Sequence, residues 1–240
     1  MRNGFIFKGF ESESFGIFVE NPIEIPRAKI RHEEKTVIGS SKVLYIPEGD
    51  GIEDGLPALE PVTISVDCVI RAGYSIDEAC AWLWGSGELI VCGDADHRRR
   101  AFVNNQIDLA KIIRARNDRR FTVDFRCEGW RYKRPAGEKI TLNNGKVIQN
   151  PGTGAAEPLI TVYGSGSGEL MVGNRSMMIE GLNGEMHIDS DTRLAWVNDR
   201  LVTTQIMRIG GWPILPPGDC AVSWSGGITR VEIEPRWRDF

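Results

Sequence analysis

The sequence is poor in the residues that build metal, disulfide and catalytic sites. It has three histidines and five cysteines, and no two cysteines stand in a Cys-x-x-Cys pair. Zinc sites draw on closely spaced ligands, and a disulfide framework needs an even set of cysteines. We therefore expect buried free thiols, because free cysteine behaves as a small hydrophobe in a core. The five positions are Cys68, Cys80, Cys92, Cys127 and Cys220.

Long apolar runs are also missing. No stretch approaches the ~20 apolar residues that span a bilayer, and no apolar segment follows a basic amino terminus. We expect a chain made in the cytosol without anchor or secretion signal. The net charge of −4 argues against a main role in holding nucleic acid, which depends on Lys and Arg. The arginine-rich segments 97–100 and 114–120 stand beside aspartates without interleaved aromatics, so we interpret them as solvated loops.

Sequence signatures of catalysis are scarce. No Gly-x-Ser-x-Gly elbow is present, and Gly164–Gly168 lacks the Gly-Lys-Ser/Thr ending of a phosphate loop, so it is predicted to be a hairpin tip. The segments 94–97 and 189–191 gather carboxylates without a partner ligand at a recognisable spacing. We expect a solvated turn at the first and a strand end at the second. No catalytic, cofactor-binding or metal-binding residue is predicted, and no cofactor.

Alternating apolar residues dominate the first half of the chain. Val62–Ile70 and Phe121–Cys127 alternate with period two, which predicts two half-buried strands of one sheet system. One helix is predicted over Ser75–Gly85, where Ser75 and Glu78 form a capping box and Gly85 suits a left-handed stop. The run Ile107–Ala115 fits a helix and a strand about equally well.

Turn residues dominate the second half. Pro135 and Gly137 interrupt any strand ladder, and beyond them Pro, Gly and Asn recur between short apolar runs, as is typical of an all-β sandwich. Asn183-Gly184 is predicted to be a two-residue hairpin turn that sets Glu180 opposite His187. Among seven tryptophans, Trp212 in Gly-Gly-Trp-Pro is the one expected on a displayed loop, where it could contact a ligand or partner.

Both ends of the chain carry a family resemblance. The ending from Pro216-Pro217-Gly218-Asp219 to Phe240 and the opening Phe5–Phe10 with Ser14–Val19 resemble the distal tail proteins (Dit) of long-tailed, siphovirus-type bacteriophages and prophages. The internal segments Trp82–Leu89 and Glu185–Ser190 are similar to two further motifs of that family, "WL-x-G-x-G-x-L" and "x-I-D-S". Two details depart: Cys220 stands where the family usually has Asn, and a "V-P-G-R" loop is lacking near residues 37–40.

The resemblance implies a mainly β, two-domain fold. Residues 1–136 would form a β-sandwich-like ring domain with one α-helix, and residues 137–240 a galectin-like antiparallel β-sandwich. It implies a structural virion protein rather than an enzyme: a homohexameric ring that joins the tail tube to the tail tip or baseplate, assembled in the bacterial host cytoplasm.

The resemblance also implies partners. These are other copies of the chain, the tail tube protein and the tail tip hub protein, and it allows a receptor-binding protein. The apolar residues Val43, Leu44, Tyr45 and Ile46 are a candidate subunit contact, and burial within their own domain is equally compatible. The alternative function is a glycan-binding β-sandwich module for host attachment, in which Trp212 or Trp196 stacks on sugar. A hydrolase with dispersed catalytic residues is a third, less favoured hypothesis.

Overall fold

The computed structural model describes residues 4–36, 43–47, 58–107, 111–113, 118–135 and 137–240, with only the backbone described at 33–36, 43–47 and 111–113. Contacts divide the chain into two compact units. The first unit comprises Met1–Arg31, Leu59–Arg134 and Phe240, and the second comprises His32–Ala58 and Pro135–Asp239.

The elements follow one another in chain order, and two short 3₁₀ helices lie at Ser12–Phe15 and Thr203–Gln205. The strands and the helix are β1 (Phe5–Phe7), β2 (Phe10–Glu11), β3 (Ile17–Val19), β4 (His32–Thr36), β5 (Val43–Pro47), β6 (Val62–Ile70), α1 (Ile76–Leu83), β7 (Ser86–Val91), β8 (His97–Val103), β9 (Lys111–Ile113), β10 (Asp118–Cys127), β11 (Arg131–Lys133), β12 (Ile140–Leu142), β13 (Lys146–Asn150), β14 (Leu159–Val172), β15 (Arg175–Asp189), β16 (Leu194–Val197), β17 (Arg200–Leu201), β18 (Ile206–Ile209), β19 (Gly218–Glu234) and β20 (Arg238–Asp239).

An antiparallel sheet in the order β2-β1-β7-β8-β10-β6-β3 forms the first unit. Its longest pairing joins β6 and β10, from Val62 opposite Cys127 to Ile70 opposite Arg119. Along β6, buried apolar residues alternate with exposed or half-exposed ones, because successive side chains of a strand point to opposite faces. The two strands predicted from alternation are therefore confirmed, and they are neighbours in one sheet.

The sheet of the first unit folds over its own inner face. Two strands separate β1 from β10, so a flat sheet would place them about 14 Å apart at the usual strand spacing. The ring centroids of Phe5 on β1 and Phe125 on β10 are instead 5.2 Å apart. The folded sheet encloses a core in which the indole of Trp82 stacks on Phe15 and donates a hydrogen bond to the carbonyl oxygen of Phe7.

Helix α1 forms where its capping signals predict it. The backbone N–H of Glu78 donates to the hydroxyl of Ser75 over 3.3 Å, and Gly85 follows the end of the helix with φ of 87°. Ala79, Trp82 and Leu83 are its buried residues. Cys80 is only partly buried, and Trp82 takes the core position.

The buried thiols behave as core residues. Cys68 and Cys127 lie on the inner faces of β6 and β10 and Cys220 lies in the core of the second unit, whereas Cys80 and Cys92 are partly exposed. Burial raises the pKa of the Cys127 thiol to about 12, because a thiolate loses its hydration there. Burial likewise raises the pKa of Cys68, with the negative charge of Asp67 as a further cause.

A second antiparallel sheet, in the order β12-β19-β14-β15-β16-β17, forms the second unit, with β13 beside β19 and β18 beside β15. Three of its strands are long, β14, β15 and β19. Residues from both ends of β14, such as Ile160 and Leu170, belong to a single core cluster. One set of strands therefore bends to supply both sides of that core.

Glycines make this bend possible, and they correct two predictions. Gly164–Gly168 and Asn183-Gly184 were expected to be hairpin turns, but they lie inside β14 and β15, where Gly164 pairs with Gly184. A Cβ atom on Gly164 would overlap the carbonyl of Gly227 on β19, so this position needs glycine because the two backbones lie against each other there. Gly184 has open space at its Cβ position but a φ of 90°, which favours glycine. The turn between β14 and β15 is instead Gly173-Asn174, flanked by the pair Val172 and Arg175.

The arginine-rich stretches and the ambiguous run Ile107–Ala115 can also be compared with the structure. The arginine-rich stretch 97–100 is the start of strand β8 rather than a solvated loop, and Arg99 is only 3% exposed. In the ambiguous run Ile107–Ala115 the structure has strand β9, and residues 108–110 and 114–115 lie outside the described residues. The second arginine-rich stretch, 114–120, is described only from Asp118, where β10 begins.

The close approach of β14 and β19 at these glycines can be tested by substitution. Alanine at Gly227 would place its Cβ against the carbonyl oxygen of Ser165 on β14. We expect Gly227→Ala to destabilise the second unit by more than about 2 kcal/mol, which lowers a melting temperature by about 4–8 °C at this chain size. Differential scanning calorimetry measures the change. Ser225→Ala, two residues away on β19, is the matched control and should melt within about 1 °C of wild type.

Candidate interaction surfaces

The outward face of the first unit's sheet is polar along β6 and β10. Thr63, Ser65 and Asp67 are the exposed residues of β6, and their partners across the pairing include Asp124 and Thr122. Because residues opposite each other in an antiparallel pair share a face, these side chains form one outward surface.

Asp67 holds a neighbouring segment against this surface. Its carboxylate accepts hydrogen bonds from the amide of Asn21 (2.9 Å) and the hydroxyl of Thr122 (2.8 Å). The hydrogen bond from Asn21 and that from Thr122 lower the pKa of Asp67, so the group is ionised at neutral pH. Next to it, the guanidinium of Arg120 pairs with Glu20 over 2.8 Å. These contacts fix the start of the segment that follows β3.

A groove lies between that segment and β6. It has a volume of about 610 Å³, and Thr63, Ser65 and Asp67 line its strand side. The opposite wall consists of residues 21–26 except Ile23, and it combines apolar groups (Pro22, Ile25, Pro26) with the carboxylate of Glu24. We call this feature the β6 groove. Its volume falls in the range of ~300–1,000 Å³ that is typical of pockets for small ligands.

Two exposed aromatic residues lie elsewhere on the first unit, each next to Lys8 in the fold. The side chain of Trp84 is 83% exposed and that of Phe10 on β2 is 59% exposed. Trp84 caps the end of α1, and the ammonium of Lys8 donates hydrogen bonds to the carbonyl oxygens of Trp82 and Trp84. We call Lys8, Phe10 and Trp84 the aromatic surface. Its backbone is held by a helix end and by Lys8, so the indole of Trp84 projects from a fixed base.

Residues 94–97 form a turn, as expected, in which the backbone N–H of His97 donates to the carbonyl oxygen of Asp94, but the side chain of Asp94 is the centre of a largely buried ion-pair cluster. Its carboxylate lies 2.6 Å from the imidazole of His97 and 3.4 and 3.7 Å from the guanidinium groups of Arg131 and Arg99. Burial lowers the pKa of Arg99, although Cys127 and Asp94 oppose the shift. No local sequence pattern indicates this cluster, because Arg131 is far from the other three residues along the chain.

The expectation that Trp212 lies on a displayed loop of the second unit is wrong. Its side chain is 2% exposed and belongs to the core of that unit, under the guanidinium of Arg208. The indole is therefore not displayed on a loop and offers no face to a sugar. Flanking glycines suggested an exposed turn, but Gly210 and Gly211 let the chain turn inward with φ of 83° and 94°.

Two other polar candidates have structural partners. His187 pairs with Thr161 and Trp196, not with Glu180, and its ring stacks on Trp196 at 5.4 Å. Asp189 is buried and forms a bidentate pair with Arg236 at 2.7 and 3.2 Å. The backbone of Val43–Pro47 is strand β5, paired with β4, while the side chains of Val43, Leu44, Tyr45 and Ile46 lie outside the described residues.

Within the described ranges, no three His, Cys, Asp or Glu side chains are placed to hold a metal ion. The helices of the same ranges are too short or too polar to cross a membrane.

Comparison with known proteins gives fold neighbours only. No protein-family model and no curated protein matches the chain. The crystal structure of the SPP1 Dit (gp 19.1) protein, described as a paradigm of hub adsorption apparatus in Gram-positive infecting phages, matches with a TM-score of 0.70 at 12% identity, over 98% of this chain and 99% of that one.

Two baseplate structures are also similar. A chain of the phage P2 baseplate, in its activated conformation with Ca, matches with a TM-score of 0.54 at 7% identity, over 100% of this chain and 98% of that one. The corresponding structure with Sr matches with a TM-score of 0.50 at 7% identity, over 93% and 91% of the two chains. The fold implied by the sequence resemblance, mainly β with two domains, is confirmed.

The Asp94 cluster can be tested by removing its carboxylate. Asp94→Asn keeps the shape of the side chain but leaves the buried guanidinium of Arg99 without its ion-pair partner. Breaking a buried pair in this way costs about 3–5 kcal/mol, so we expect a clear fall in melting temperature. Asp96→Asn, at an exposed position two residues away, is the control and should change stability by no more than about 0.5 kcal/mol. Equal melting of the two variants would show that the cluster contributes little.

Proposed function

We propose that this chain is a distal tail protein, a structural subunit of a long-tailed phage or prophage that closes into a ring between the tail tube and the tail tip. The observation that carries the proposal is the extent of the match to the SPP1 Dit protein, which spans nearly all of both chains. A match that covers both units in the same order along the chain is less easily reached by chance than a match to a single β-sandwich. The motifs at both ends of the sequence support the same assignment.

The chemistry of the described residues supports a role that depends on shape. The two carboxylate segments that the sequence offered as sites are engaged in internal pairs, Asp94 with His97, Arg99 and Arg131, and Asp189 with Arg236. Their charges stabilise the fold instead of facing a substrate. The fold neighbours are likewise named as a hub and as parts of baseplates.

The glycan-binding alternative has less support. Sugar stacking needs an exposed aromatic face. Among the described residues of the second unit, the large hydrophobic side chains that are exposed are all aliphatic: Val147, Met171, Met178, Leu194, Leu201, Met207 and Ile209. Trp212 is in the core, and Trp196 packs against His187.

Within this proposal, residues 1–136 form the ring and residues 137–240 form the sandwich domain that can carry a receptor-binding protein. The tail tube protein and the tail tip hub protein are the axial partners. The protein is then a component of the virion tail that assembles in the host cytoplasm. The hairpin strand with Val43, Leu44, Tyr45 and Ile46 remains a proposed subunit contact.

A ring of identical subunits sets a geometric requirement. Each copy must offer two different surfaces that complement each other, and the rotation between neighbours must close. Exposed apolar groups on the ring-forming part of the chain are expected under this requirement, because an assembled ring buries them.

Assembly tests the proposal directly. Purified protein should form closed particles of about six times the 26.8 kDa chain mass, measured by sedimentation-velocity ultracentrifugation and seen as rings by negative-stain electron microscopy. The measurement should extend to about 100 μM protein, which is roughly 100-fold above a Kd of 1 μM. A Kd of 1 μM corresponds to a binding free energy of about −8 kcal/mol. A chain that stays monomeric throughout, or that binds sugars on a glycan array as a monomer, would contradict the ring assignment.

A further inference from the structure

The exposure of Trp84 is the starting point. Tryptophan is highly buried on average, and a projecting indole leaves a large apolar area in water. Trp84 is 83% exposed, and Lys8 holds the backbone at its base. Rigid aromatic anchors of this kind are enriched at the centres of protein interfaces, where they insert into pockets of the partner. The side chain therefore has the character of an interface anchor.

The aromatic surface and the β6 groove face in different directions. Because Phe5 on β1 and Phe125 on β10 meet across the core, the outward sides of β1 and of β10 point away from each other. The aromatic surface lies with β1, β2 and the end of α1, and the β6 groove lies beside the strand next to β10. Two surfaces on opposing sides of one unit suit a head-to-tail contact rather than a two-fold one.

The two surfaces are complementary in chemistry. The aromatic surface offers an indole, a phenyl ring and the positive charge of Lys8. The groove offers apolar walls at Pro22, Ile25 and Pro26 and a negative rim at Glu24 and Asp67. Its volume of about 610 Å³ is ample for an indole. Opposite charges around an apolar contact steer association and fix its register.

We propose that Trp84 of one copy inserts into the β6 groove of the next copy, so that the two surfaces form the repeating contact of the ring. This inference rests on the proposed function and specifies the contact on which the ring depends. The occupant of the groove is thus a second copy of the same chain.

Two single variants test the contact from its two sides. Trp84→Ala removes the anchor, and Ser65→Arg fills the groove from an exposed strand position. Each should weaken self-association at least tenfold, measured by sedimentation-velocity ultracentrifugation across a dilution series, because truncation of a central anchor has effects of this size or larger. The matched controls are Met207→Ala, an exposed apolar residue of the second unit, and Thr141→Arg, an exposed strand residue there. Both should assemble like wild type.

Mixing the two variants gives the decisive result. The Trp84→Ala chain keeps an intact groove, and the Ser65→Arg chain keeps an intact anchor. One chain of each kind can therefore form a single contact, but neither has a second intact surface to which a third chain could bind. We expect one-to-one pairs at twice the 26.8 kDa chain mass and no rings. Melting temperatures within about 1 °C of wild type would show that both variants are folded.

The outcomes separate this inference from the proposed function. Rings formed by wild type and equally well by both variants would overturn the contact while leaving the ring assignment intact. Variants that lose assembly but give no pairs on mixing would also overturn it, because the two surfaces would then not be partners. Wild type that fails to assemble under all conditions would overturn the contact and the proposed function together.

Discussion

The burial of one apolar face of each sheet is the constraint on which the structure depends. In the first unit the inner residues of β6, from Val62 to Ile70, are at most 7% exposed. Each such side chain contributes about 1.5–3 kcal/mol when it is removed from water. No second sheet or helix layer large enough to cover this face is present among the described residues, so the sheet covers itself by folding over. Its outward sides then face in several directions, which allows one unit to contact two neighbours.

The second unit meets the same requirement by a different backbone route. Its three long strands cross a zone of glycines, where Gly164 and Gly227 let β14 and β19 approach more closely than any side chain would allow. A single core then lies between the two halves of the same strands. This solution depends on alternation and on a few glycines rather than on particular core residues. Such loose demands on sequence are compatible with a shared fold at 12% identity.

Local signals in the sequence predicted the elements that depend on neighbours along the chain. The β6 and β10 strands followed from period-two alternation, and α1 followed from Ser75 and Gly85. Contacts between segments that are distant in the sequence could not be predicted from such local signals. Asn183-Gly184 has the composition of a hairpin turn, but its conformation is set by β14, to which it pairs. The glycines that flank Trp212 suggested an exposed loop, but its side chain is buried in the core. The Asp94 cluster depends on Arg131, which is distant in the sequence. Nothing in the sequence distinguished the exposed Trp84 from the buried Trp82, since both stand near the end of one helix.

The difference between Trp82 and Trp84 also bears on how the proposed ring would close. Trp82 stabilises its own unit, whereas Trp84 is 83% exposed and, in the proposed contact, is buried by another copy. In an open head-to-tail row built on the proposed contact, one copy always has an unburied indole and another an empty groove. Closing the row buries that last pair in an intramolecular step, at high effective concentration and without a further loss of translational freedom. A contact that is modest between two separate copies is therefore sufficient to favour the closed ring over open rows, provided that the angle between the two surfaces matches the rotation of the ring.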